Sequence, residues 1–494
     1  MKIFNTLSGK KDVLKPMRGK KINIFVCGPT VYDYSHIGHA RTYVAFDSFV
    51  KYLKEKGYKV FYLQNITDLD DKIIARAREK GVPPKDLAGA FAKEYLKNMK
   101  DLGVDSVTKY AKATSYIKEI ISQVKRLREK GYAYKIESDG IYYDIAKFKN
   151  YGKLAGRTAL QAEDAVTRID YSSKKRSRGD FCLWKFKQED FEPSWPAPFG
   201  QGRPGWHIED TAITEKFFGP QYDIHGGARD IIFPHHEAEI AQMEALSGKQ
   251  PLVKYWMHTG FLTVNGQKMS KSLGNFITIA DFLKRYSAEQ TRFLIVKNLW
   301  SSPIDYSDSV MIEIKSNLEK IEEFLLKIRS PIEPTGSPRS VQSDLIPQNY
   351  SEAVLIRNKS KIQISKILSR AKKNFYAELD DNFNAPKAFA VLFEFIKKIN
   401  KIADENPISK SDADKIYKFF EKINKIFGII NFKNVKTSAS WRKPIPGEIK
   451  KLVKEREKFR KQQNWQKSDE LRIKIEEQGF IVEDTVSGPV IKKI

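Results

Sequence analysis

The chain has 494 residues, 41% of them hydrophobic and 12% aromatic, which is enough for several cores and too apolar for a disordered protein. Its 87 Lys and Arg outweigh 61 Asp and Glu by 26, pointing toward a polyanionic partner, nucleic acid first; a lysine-rich solvated surface gives the same count. Two cysteines exclude a disulfide framework, no run of about 18 apolar residues is present, and "MKIFNTLSGKKDVLKPMRGKK" lacks a signal-peptide core, so the expectation is a cytoplasmic protein with no membrane partner.

In chain order, "INIFVC" (22–27) reads as a buried strand and "KVFYLQNI" (59–66) as a second. Between them, residues 38–56 space Tyr43, Phe46, Phe49, Val50 and Leu53 as one face of a helix. Strand, helix and strand with this crossover predict a parallel, right-handed βαβ unit. Residues 105–200 mix helical and loop signals and end in the turn-rich "EPSWPAPFGQGRPG". After them, "YDIHGG" (222–227) and "VKYWMHTGFLTV" (253–264) look like strands around a helix at 235–247. The fold class expected is α/β: a Rossmann-type parallel sheet in two halves, interrupted by an insertion at 105–200.

From residue 306 the pattern changes. Ile314, Leu318, Ile321, Leu325 and Ile328 form a helical seam, and "SPIEPTGSPRSVQSDLIPQ" (330–348) predicts a mobile link. Helical patterns resume at 351–377, 387–401 and 411–427, an antiparallel bundle. A small mixed α/β unit closes the chain, and its stretch 442–474 carries 12 Lys/Arg against 5 Asp/Glu. The expected domains are therefore 1–305, 306–430 and 431–494. All seven histidines fall within the first 258 residues, which separates acid–base and metal chemistry from the basic surface.

Three motifs carry that chemistry. In "SHIGHAR", His36 and His39 share a face at a helix start, where free N–H groups and the dipole favour an anion, and Gly38 leaves room for a nucleotide. Two helix-capping histidines are the alternative. In "NGQKMSKSLGN" (265–275), Lys268 and Lys271 lie at i and i+3 between Gly266 and Gly274, so a hinged loop could bring two ammonium groups onto a triphosphate. A Ser/Lys-rich surface loop is the alternative. Cys27 closes the first strand, His235 and Glu239 lie four apart in "FPHHEAEIAQ", and "GWHIEDTAI" offers Asp210 on another helix start. One thiolate, one imidazole and two carboxylates suit Zn²⁺ near the carboxyl edge of the sheet; a satisfied core histidine at 235 or 236 is the alternative.

H-I-G-H after a first strand, paired with K-M-S-K-S after the second half of the sheet, resembles the signature of class I aminoacyl-tRNA synthetases. Within that class the chain is similar to the cysteinyl-tRNA synthetase family over nearly its whole length. Besides "CGPTVYDYSHIGHAR", the stretches "NITDLDDKI", "GRPGWHIE", "DIHGG", "FPHHEAEIAQ", "KMSKSLGNF", "AELDDNFNAP" and "NWQKSDELRIKIEEQGFIVEDT" carry the likeness. The resemblance implies activation of L-cysteine by ATP, with Mg²⁺, to cysteinyl-adenylate and pyrophosphate, then transfer to tRNA(Cys). It implies His36, His39, Lys268 and Lys271 as catalytic residues, with His36, His39 and Lys271 on ATP. Gly28, Thr67, Trp206 and His225 would line the cysteine pocket, and Cys27, Asp210, His235 and Glu239 would hold one Zn²⁺. It further implies a stem-contact region at 263–305, a tRNA-binding bundle and an anticodon-recognition unit at 431–494. Position 210 is most familiarly a cysteine in that family; Asp keeps the formal charge and is itself an accepted zinc ligand. A cysteine ligase of the mycothiol pathway shares the core motifs but lacks the portions after residue 306, and a non-catalytic RNA-binding relative would have lost the signature residues that are intact here.

Overall fold

The computed structural model describes residues 1–156, 172–270, 273–329, 350–406, 408–433, 446–485 and 488–493. The chain opens with a hairpin, β1 (Lys2–Asn5) and β2 (Lys10–Val13), that the hydrophobic pattern does not announce. Asn5 fastens it to the body: its side chain donates to the Lys254 carbonyl at 3.1 Å and accepts from the Trp256 amide at 3.0 Å.

The predicted crossover follows. β3 (Lys21–Val26) and β4 (Lys59–Ile66) pair in parallel through α1 (Ile37–Glu55). Helix α1 is buried around most of its circumference, as expected of a helix covered on several sides. Its buried polar groups are therefore paired: Thr42 Oγ1 lies 2.9 Å from Thr259 Oγ1, and Asp47 pairs with the Arg292 guanidinium at 2.7 Å. Two helices, α2 (Asp71–Lys80) and α3 (Pro84–Asp101), lead to β5 (Lys109–Lys112).

The stretch at 105–200 holds β5, helix α4 (Ile117–Glu129), and three strands of a four-stranded antiparallel sheet, β6 (Ala133–Ile136), β7 (Gly140–Tyr143) and β8 (Phe181–Phe186), with β9 (Gly202–Pro204) as the fourth. Helix α5 (Trp206–Phe218), β10 (Tyr222–Ala228), α6 (Glu237–Ser247) and β11 (Val253–Thr259) complete the second half. The five-stranded parallel sheet has the order β11-β10-β3-β4-β5. Strand order reverses between β3 and β10, the crevice where open α/β sheets bind ligands.

The stretch 253–264 breaks into two strands rather than running through. Gly260 separates β11 from β12 (Leu262–Val264): its amide donates to the Trp300 carbonyl at 3.1 Å, and a Cβ there would stand 2.2 Å from the Ser302 carbonyl oxygen. β12 then joins β13 (Gln267–Lys268) and β14 (Ile304–Tyr306), reached through α7 (Ile279–Arg285) and α8 (Ala288–Val296).

Helices α9 (Asp308–Arg329), α10 (Tyr350–Asp380), α11 (Ala385–Glu405) and α12 (Lys410–Phe427) form the bundle. The seam residues Ile314, Leu318, Ile321, Leu325 and Ile328 are all buried. The expected link at 330–348 lies outside the described residues. Sheet and bundle belong to one compact unit, Met1–Ile430. Asn431–Ile494 is a second unit, with α13 (Gly447–Lys461) and α14 (Trp465–Glu477) beside the hairpin β15 (Phe480–Thr485) and β16 (Gly488–Lys493). Arg456, buried there, forks onto Asp484 with two 2.8 Å bonds. No helix among the described residues is long and apolar enough to cross a membrane.

Candidate metal centre and nucleotide site

Four elements meet at the reversal of strand order. Cys27 follows β3 directly, its amide bonded to the Gly226 carbonyl of β10 at 3.0 Å. Asp210 sits in the second turn of α5, and Glu239 in the first turn of α6. His235 lies just before α6, in a wide turn at Ile232–His236 where Phe233 is extended; the helix expected from 235 starts at Glu237. This turn aims the ring at the other three. His235 Nε2 stands 3.6 Å from Cys27 Sγ, 3.1 Å from Asp210 Oδ2 and 3.3 Å from Glu239 Oε1. All four residues are buried.

Among the described residues, no Lys or Arg is paired with this set. Asp210 Oδ1 and both Glu239 oxygens have no hydrogen-bond partner among the described residues. Burial first, then the charges of Asp210 and Glu239, push the Cys27 thiol well up; burial and Asp210 do the same to the Glu239 carboxyl. Three acidic groups around one imidazole, with oxygens unpartnered among the described residues, could hold a divalent cation, whose binding would displace the protons that burial retains.

The surroundings hold His235 in place. Trp206 stacks on its ring at 4.1 Å and 13°. His207 Nδ1 lies 2.8 Å from His235 Nδ1, so a proton there leaves Nε2 as the lone-pair nitrogen facing the donors. Sequence reading did not assign His207 a role; its spacing of three from Asp210 on α5, one helical face, was the available signal. Glu209, the neighbour of Asp210, points elsewhere and accepts from Thr67 Oγ1 at 3.0 Å. Gly28 meets Asn65 of β4 so closely that a Cβ would lie 1.8 Å from its carbonyl oxygen. His225 is buried, bonded through Nδ1 to the Tyr222 hydroxyl at 2.7 Å and stacked on Trp256, while its Nε2 has no partner among the described residues. The candidate ligand atoms fall into two buried trios, Cys27, Asp210 and His235 in one and His225, His236 and Glu239 in the other, with Glu239 reaching the first at His235.

His36 and His39 combine two roles that sequence alone sets against each other. His36 caps α1: its Nδ1 accepts from the Gly38 amide at 3.0 Å, and its own amide donates to His39 Nδ1 at 3.2 Å. With both Nδ1 atoms accepting, each neutral ring carries its proton on Nε2. Burial lowers His36 to about 4, and burial together with His36 lowers His39. The rings stack at 3.9 Å. Gly38 serves the cap rather than open space, since a Cβ there would meet His36 Cε1 at 2.7 Å and Met269 Cε at 3.2 Å.

The lysine loop returns to the same place. The Ile37 amide donates to the Ile277 carbonyl at 3.1 Å and the Ile279 amide to the Ser35 carbonyl at 2.8 Å, so residues 35–37 and 277–279 are bonded back to back. Asn275 closes the loop, accepting from the Ser270 amide at 2.8 Å and donating to the Lys268 carbonyl at 3.2 Å. Gly266 and Gly274 both take positive φ, 76° and 66°. Lys268 is exposed, its ammonium 6.0 Å from the Phe261 ring centre. Lys271 lies outside the described residues.

Residues 13–316 match the family described as tRNA synthetases class I (C) catalytic domain, and residues 374–431 match the DALR domain. A cysteine–tRNA ligase of Methanococcus maripaludis is 42% identical over 501 aligned residues, covering 100% of this chain and 99% of that one. One from Thermococcus gammatolerans is 41% identical over 499 residues with the same coverage. Among solved structures, a methionyl-tRNA synthetase of Mycobacterium tuberculosis in complex with methionyl-adenylate superposes with a TM-score of 0.61 over 87% of this chain and 95% of that chain, at 14% identity, a likeness of fold. The chain belongs to the cysteine–tRNA ligase family, within the class I tRNA synthetases.

Proposed function

We propose that this protein activates L-cysteine with ATP to cysteinyl-adenylate and pyrophosphate and then transfers cysteine to tRNA(Cys), in the cytoplasm, with one Zn²⁺ in the amino-acid pocket and Mg²⁺ accompanying ATP. The observation that carries the amino-acid assignment is the buried trio of Cys27, Asp210 and His235, with Glu239 3.3 Å from His235 Nε2. A zinc ion bound there would supply a Lewis acid that favours a substrate thiolate over a hydroxyl, a distinction that a neutral pocket makes poorly between two isosteres.

The chain's own groups do the rest. Trp206 and His207 fix the ring of His235, and the close approach of Gly28 to Asn65 sets Cys27 at the end of its strand. Thr67 and His225 complete the reading of the cysteine pocket, with Glu209 held away by Thr67. At the other edge, His36 and His39 offer Nε2–H donors beside the α1 N-terminus, and Lys268 and Lys271 add ammonium charge. A carboxylate oxygen of cysteine attacks the α-phosphorus of ATP, a P–O bond forms, and the bond to pyrophosphate breaks with its electron pair. Negative charge grows on the leaving group, where these donors stabilise it. In the second unit, the basic stretch 442–474 is the part we assign to the anticodon.

The test is pyrophosphate exchange with cysteine and with serine, followed by charging of tRNA(Cys). Cysteine-dependent exchange and charging are expected. Exchange without charging would move the protein toward the mycothiol-type ligase, and neither activity alongside RNA binding would make it a non-catalytic relative.

A further inference from the structure

Arg41 follows the two motif histidines on α1 yet faces away from solvent, 1% exposed. Its Nη2 reaches three carbonyl oxygens of one turn: Leu299 at 2.9 Å, Trp300 at 2.6 Å and Ser302 at 3.2 Å. Burial lowers its pKa to about 9, so it remains a cation at neutral pH. An ion this deeply buried with no carboxylate bonded to it is costly, and its Nε and Nη1 have no partner among the described residues. Three backbone carbonyls are what its charge engages.

That turn braces the upstream root of the lysine loop, residues 260–264. The Trp300 carbonyl also accepts from the Gly260 amide at 3.1 Å, and the Ile304 amide donates to the Phe261 carbonyl at 2.8 Å. β14 then pairs with β12, and β12 with β13, which carries Lys268. The downstream root, residues 277–279, is bonded directly to residues 35–37. Both ends of the loop are thus fastened to the first turns of α1, one by backbone and one by the Arg41 side chain.

We propose that Arg41 is a positioning residue for cysteine activation: by clasping the 299–302 turn it sets the distance between the histidines of α1 and Lys268 of the loop. The inference rests on the reading that both groups act on one ATP. Displacing a reacting group by about 1 Å can cost on the order of 10²-fold in rate. A lysine at 41 ends one bond short of the position that Nη2 holds, so from the same backbone its ammonium falls short of the three carbonyls.

Zinc-loaded enzyme carrying Arg41→Lys should lose about 10–100-fold in the kcat of pyrophosphate exchange. Its zinc content and its KM for cysteine should stay within about twofold of wild type, because the metal pocket is built on other elements. In a Lys268→Ala background the same substitution should cost less than about threefold, since residues acting through a shared element are not additive. Gly260→Ala approaches from the other side: its methyl would push against the Ser302 carbonyl with Arg41 intact, and it should reproduce the kcat loss with zinc retained. Equal losses in both backgrounds would overturn the proposal. So would an Arg41→Lys enzyme that sheds zinc and melts early, which would make Arg41 a purely structural residue. Undiminished exchange in Lys268→Ala alone would instead defeat the reading of Lys268.

Discussion

The candidate metal pocket and the candidate nucleotide edge lie at the same end of the sheet and gather opposite kinds of group. Around His235, a thiol and two carboxylates crowd together with oxygens left unpartnered. At the start of α1, two rings spend their Nδ1 atoms on the helix cap and keep N–H donors for something else. The first site gathers acidic groups; the second gathers neutral N–H donors. They also differ in construction. The pocket is assembled from fully buried side chains on four elements, whereas the edge divides its work between a helix cap and an exposed lysine loop. Damage to the pocket should therefore appear in metal content and amino-acid selectivity, and damage to the edge in rate.

The largest expected effect breaks the pocket. Asp210→Ala should lose most bound zinc and reduce the preference for cysteine over serine by about 10³-fold or more, given direct metal–thiolate recognition. Asp210→Cys should keep both, because charge and coordination number are preserved. Metal analysis with activation kinetics for the two amino acids decides it; full zinc and unchanged selectivity in the alanine variant would mean that three ligands suffice. Next, Lys271→Ala should slow adenylate formation by about 10²–10³-fold while zinc stays at one per chain. Pyrophosphate exchange at the wild-type rate would remove the loop from the chemistry.

The contrast also explains what could be read in advance. Strands β3 and β4, helix α1 and the bundle seam were legible because each spells its own burial in a local period. The site residues could be nominated because titratable groups stood beside strand ends and helix starts. What local pattern could not supply is whatever depends on a distant partner. The hairpin β1–β2 is held by Asn5 against residues some 250 positions away, and "KIFN" or "KKDV" alone reads as nothing in particular. The break at Gly260 follows from the approach of the Ser302 carbonyl, and the wide turn before α6 is hidden inside an apparently continuous helical pattern. Gly38 shows the same limit from the other side: room for a nucleotide was a local inference, but the ring of His36 fills that room.

A smaller effect would sharpen the pocket's side of the comparison. His207→Phe keeps an aromatic ring packed against Phe181 and Trp206 but deletes the nitrogen 2.8 Å from His235. Metal retention against a chelator should weaken by about 10–100-fold, the usual cost of losing a group that orients a ligand. Wild-type retention would show that stacking by Trp206 alone orients the ring.

The smallest effect concerns the edge, and its sign follows from the cap. His36 can accept from the Gly38 amide only while Nδ1 is unprotonated, and burial holds its pKa near 4 against an ordinary value of 6.5. Between those values the unfolded chain binds the extra proton and the folded chain does not, so stability rises with pH across that window. The contribution is complete above pH 6.5 and is lost as pH falls toward 4. Because the ring is only partly enclosed by the protein, about 1–2 kcal/mol is expected, comparable to a helix cap. His36→Asn supplies a cap that does not titrate. Chemical denaturation of both proteins from pH 7.5 to 4.5 should show a steeper decline for the wild type by that amount, added to by the part of the His39 depression that His36 causes. Parallel declines would mean that the histidine is not the cap in solution, and the edge would then be free to meet a phosphate as an imidazolium rather than as a neutral donor.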